Sequence, residues 1–182
     1  MTQNVALMLL ALLGRKGFLM ALVCALAYPS LSTGADEVHA PPTGPVVLTV
    51  SGQLEAKNAG ENYDFDRGML LALAQHKIVT STPWTDSMTT FEGPLLRDVL
   101  DQVGARGDTL DASALNDYRI QIPRADARQY PVIVALKMNG EELRVRTKGP
   151  LWIIYPWSEF PELQAETYYQ RSIWQLRRIA VH

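Results

Sequence analysis

Cysteine is almost missing: Cys24 is the single one in 182 residues, and it lies in an apolar N-terminal stretch. Histidine is nearly as scarce, with His39, His76 and His182 far apart in the chain. Scattered histidines without cysteine partners do not build a zinc or iron–sulfur centre, and a lone cysteine builds no disulfide framework. No glycine-rich phosphate loop and no nucleophile elbow is present. Positive charge is not in excess either, with 17 Lys and Arg against 19 Asp and Glu. Arg177 and Arg178 form only a doublet, so the sequence carries no basic stripe for a nucleic acid. Composition and spacing alone therefore assign no catalytic residue, no cofactor-binding residue and no metal ligand.

The first residues look like an export signal. Arg15 and Lys16 precede an apolar run from Gly17 to Tyr28, and small residues from Ser30 to Ala35 lead to Asp36 and Glu37. That order of basic patch, apolar core and small-residue exit predicts a signal peptide over residues 1–35 and a periplasmic mature protein. The run after Lys16 is shorter than the ~20 residues that span a bilayer. A second apolar patch, Val5 to Leu13, leaves an uncleaved membrane anchor as the alternative. Val23 before Cys24 is too large for a lipidation site. Processing would remove the only cysteine and leave about 147 residues, enough for one core that buries roughly 70% of its unfolded surface. Residues 36–45, with three prolines, read as a linker, and residues 46–182 as one domain.

Within that domain the pattern predicts α+β architecture, rich in strands and with a few short helices in the first half. Val46 to Val50 reads as a strand, and Asp64 or Asp66 can cap a helix from Arg67 to Gln75. Lys77 to Ser81 and Thr89 to Glu92 are extended. Leu95, Leu96, Val99, Leu100 and Val103 fall at helical spacing between Pro94 and Gly104. Tyr118 to Ile122, Val132 to Met138, Glu142 to Val145, Leu151 to Tyr155 and Ser172 to Val181 read as strands. Asn139-Gly140 marks a hairpin between two of them.

Two stretches exceed what a scaffold needs. Thr80 to Asp86 gathers hydroxyls around Trp84 before a turn, and Lys148 to Trp157 joins a cation to three aromatics. Turn chemistry followed by a core strand accounts for both. A pocket wall is the sharper reading, since Trp and Tyr combine apolar area with a polar handle.

The order of features from Phe91 onward resembles the oxidoreductase molybdopterin-binding domain, the sulfite oxidase fold. Phe91-Glu92-Gly93-Pro94-Leu95-Leu96-Arg97-Asp98-Val99-Leu100 is similar to that family's helix entry. Asn139-Gly140-Glu141-Glu142-Leu143, Gly149-Pro150-Leu151-Trp152 and Pro156 resemble its next conserved run, with Trp152 where an arginine is usual. Trp174-Gln175-Leu176 through Val181 is similar to its closing strand. Lys148 to Pro156, together with Asn116-Asp117-Tyr118 and Ile122-Pro123, resembles a small exported subgroup of that family. The resemblance implies a β-rich fold and, in enzymatic members, a cysteine before the helix that binds molybdenum. The equivalent place here is Thr82, a hard, poor donor where a soft thiolate is used. Trp152 in place of arginine would also remove a contact to the cofactor's anionic groups.

These features predict a non-catalytic ligand-binding or interaction module with no cofactor, in a vestigial cleft lined by Thr82, Trp84, Lys148, Trp152 and Tyr155. Arg124 and Asp126, on the turn after Pro123, are expected at its edge. Its partner would be a small ligand or a periplasmic or membrane protein. The alternative is an oxidoreductase that holds molybdopterin without a cysteine ligand.

Overall fold

The computed structural model describes residues 39–182. The expected signal segment with Cys24, and the start of the linker, lie outside the described residues. Among the described residues no helix is long and apolar enough to cross a membrane.

The larger sheet is built from the two ends of the described chain. Strand β1 (Val46–Gly52) pairs antiparallel with β2 (Tyr63–Asp66) and parallel with β11 (Leu176–Val181). Strands β5 (Thr109–Ala114) and β6 (Arg119–Pro123) extend it beyond β11, giving the order β2-β1-β11-β5-β6. Alternation decides the buried face: Leu48, Val50, Leu110, Ala112, Ala114, Ile179 and Val181 are all buried.

A second sheet has the order β3-β4-β8-β9, from β3 (Gln75–Thr80), β4 (Thr89–Pro94), β8 (Lys137–Met138) and β9 (Glu141–Glu142). The short pair β7 (Ile133–Ala135) and β10 (Trp152–Ile154) is buried throughout. Gly93 allows β4 to lie against this pair, because a Cβ at that position would overlap the Val134 carbonyl.

Four short helices cover the sheets among the described residues: α1 (Arg67–Ala72), α2 (Leu96–Gln102), α3 (Arg124–Gln129) and α4 (Glu166–Arg171). Of the two candidate caps for α1, Asp66 is the one used, accepting the Met69 amide at 2.8 Å. Its other oxygen accepts the amides of Thr43 at 2.8 Å and Gly44 at 2.9 Å, so the end of the linker is tied to the domain. These bonds favour the charged form and hold the Asp66 carboxyl below its usual range; burial opposes them.

Several expected boundaries shift. The helix expected to run to Gln75 stops at Ala72, because Gln75 begins β3 opposite Pro94. Pro94 closes β4 and does not open α2. The run Val132 to Met138 breaks into β7 and β8, which pair with different partners. The hairpin forms where Asn139-Gly140 places it, with φ of 51° and 82° at the two residues. Its second strand is β9 alone, because the chain turns at Arg144, whose carbonyl accepts the amides of Thr147 and Gly149. Helices are not confined to the first half, since α3 and α4 lie in the second.

Candidate functional site

Three segments meet beside β10: the turn after β3, the stretch from Lys148 to Trp157, and the approach to β11. Trp152 is fully buried there, and its indole N–H donates to the Ser172 carbonyl at 3.0 Å. Trp84, from the turn, packs near-perpendicular to Trp174 at 5.4 Å between ring centroids and to Tyr169 at 6.2 Å. It also lies 5.8 Å from Trp152 and 6.1 Å from Trp157. The Lys148 ammonium rests over Trp174 at 4.5 Å and over Trp152 at 5.3 Å. Each such contact is worth about 0.5–1 kcal/mol near the surface.

The turn itself is closed by its own hydroxyls. The Thr82 side-chain oxygen accepts the Trp84 amide at 3.0 Å and lies 3.0 Å from the Thr85 hydroxyl. Thr80 and Ser158 then bond the turn to the end of the tryptophan-rich stretch, with the Ser158 amide donating to the Thr80 hydroxyl at 3.0 Å. Serine and threonine are used here for local backbone bonding, which leaves Thr82 committed within its own turn.

A second cluster sits deeper. The Tyr155 hydroxyl donates to Asp126 at 2.8 Å, and Arg171 donates to the same carboxylate oxygen at 2.9 Å. Burial first, and the Asp126 charge next, push the Tyr155 hydroxyl far above its usual titration range. This buried arrangement clamps α3 and α4 to the core. Arg124 is apart from it: its guanidinium donates to the Ala105 carbonyl and faces Asp108.

One open space lies elsewhere than expected. A cleft of about 370 Å³ lies on the outer side of Trp84 and Trp174, bounded also by Asn116, Tyr118, Glu166 and Tyr169. Of the seven residues expected to share a cleft, only Trp84 lines it. Trp152 and Tyr155 are fully buried, Asp126 is taken up by its two partners, and Arg124 faces another side. Thr82 and Lys148 are not part of its lining. The sequence signal for the true lining was present in Asn116-Asp117-Tyr118 and Trp174. Tyr169 and Glu166 escaped because a six-residue helix shows no periodicity to read.

The protein family described as the oxidoreductase molybdopterin binding domain matches residues 67–161. No curated protein matches the chain. Among solved structures, the sulfane dehydrogenase SoxCD from Paracoccus pantotrophus is similar, with a TM-score of 0.55 at 16% identity. The match covers 74% of this chain and 37% of that one, so the chain spans well under half the length of this relative. At that identity the likeness speaks for the fold, and the family match spans more than half of the sequence. The chain belongs to the oxidoreductase molybdopterin-binding domain family and has its β-rich, sulfite-oxidase-like α+β fold.

Proposed function

We propose that this protein is an exported, non-redox member of its family, a periplasmic ligand-binding module whose working site is the cleft beside Trp84. The observation that carries this reading is the turn at Thr82. By resemblance, the family's molybdenum-binding cysteine falls there, and the residues present do not fit that role. The Thr82 oxygen is a hard donor engaged with Trp84 and Thr85. No cysteine occurs from residue 39 to 182. Trp152, where the family's arginine is usual, is buried and bonded to Ser172. No lining residue of this cleft is basic, so its own walls do not favour an anionic ligand. The cleft volume of about 370 Å³ suits a small molecule.

Elemental analysis of the protein purified from a molybdate-fed periplasm tests this. Molybdenum far below one atom per chain is expected. Near-stoichiometric metal would overturn the reading in favour of an oxidoreductase that holds molybdopterin without a cysteine. The mass of the purified chain tests export separately, and a start at Asp36 is the expected result.

A further inference from the structure

The cleft's walls have a chemical bias. Trp84 packs near-perpendicular to both Trp174 and Tyr169, and Tyr118 adds a fourth, exposed ring to the lining. Aromatic rings carry a negative face, and a cleft lined by several of them offers more of that surface than one lined by aliphatic side chains. The one ionisable acid on the lining is Glu166, and no arginine or lysine lines the cleft. Among the described residues Glu166 has no salt-bridge partner; one of its oxygens accepts from the Gln170 amide at 3.0 Å. An anion would meet a carboxylate and no basic residue on the lining itself. A neutral apolar ligand would leave the carboxylate unused. The protein itself supplies a precedent, since the Lys148 ammonium already sits over Trp174 from outside the cleft.

We infer that the cleft binds an organic cation, a quaternary or methylated ammonium head held against Trp84, Trp174 and Tyr169 with Glu166 as counter-ion. This deepens the ligand-binding reading above and rests on it. Methyl groups on nitrogen spread the positive charge and weaken hydration, so desolvation against the rings costs less than for a bare ammonium. Glu166 stands at the rim, where it adds attraction without a large burial penalty.

Choline and its uncharged isostere 3,3-dimethyl-1-butanol, titrated by calorimetry into the full mature protein, separate charge from shape. Choline is expected to saturate within about 10 mM, and to bind roughly tenfold tighter than the isostere. Glu166→Gln, at an exposed position, is expected to lower choline affinity about threefold and leave the isostere unaffected. Equal affinity for the two probes would overturn the organic-cation assignment and leave a merely apolar ligand site. Binding of neither would overturn it as well, while the non-redox reading would still be judged by the molybdenum content.

Discussion

Glycine serves two different needs in this protein, and the difference is measurable. At Gly93 the backbone of β4 approaches β7 so closely that any side chain collides with a carbonyl, whatever its conformation. At Gly140 the surroundings are open and only the φ of 82° favours glycine. Gly93→Ala is therefore expected to cost about 2–3 kcal/mol, and Gly140→Ala only about 1 kcal/mol, in urea unfolding. Asp66 makes a prediction about acid. Its folded carboxyl titrates below the ordinary range because the amides of Met69, Gly44 and Thr43 bond the charged form. A depressed carboxyl stabilises the fold above the unfolded pKa of about 3.9 and loses that contribution as pH falls through the folded value. Asp66→Asn keeps a helix cap but loses the charge. Its unfolding midpoint should fall less steeply than the parent's below about pH 4.

Elements with strong alternation or helical spacing were legible in the sequence: β1, α2 and the turn at Asn139-Gly140 lie where the residues place them, and β11 takes up the second part of the strand expected from Ser172. The unread ones have physical reasons. Strand β5 alternates perfectly, but two of its three inward residues are alanines, too small to register as a hydrophobic face. Helices α3 and α4 have six residues each and are held by tertiary contacts instead of intrinsic propensity. The candidate site was legible as a region and not as a surface. Trp152 and Tyr155 lie in the apolar run Leu151 to Tyr155, all of it buried, so the core-strand reading of that run holds and the pocket-wall reading does not. Asp126 holds the unread helices in place, so its loss should be felt at that scale. Asp126→Ala leaves Arg171 and the Tyr155 hydroxyl without their shared acceptor and is expected to cost about 3 kcal/mol in chemical denaturation. Tyr155→Phe keeps the ion pair and should cost only about 1 kcal/mol.

Across the whole molecule, the family's fold carries a cleft beside Trp84 lined by aromatic side chains and one carboxylate. The parallel seam between β1 and β11 has a further consequence. Thr49 lies opposite Arg178 and Gly52 opposite Val181, so partners in the middle of the main sheet are separated by most of the chain. Joining them means closing a very long loop, which slows folding. During synthesis β1 must wait, unpaired on that side, until the ribosome has made residues 176–181. A chain that cannot complete its central sheet early remains threadable, which is what the export proposed above would require of it.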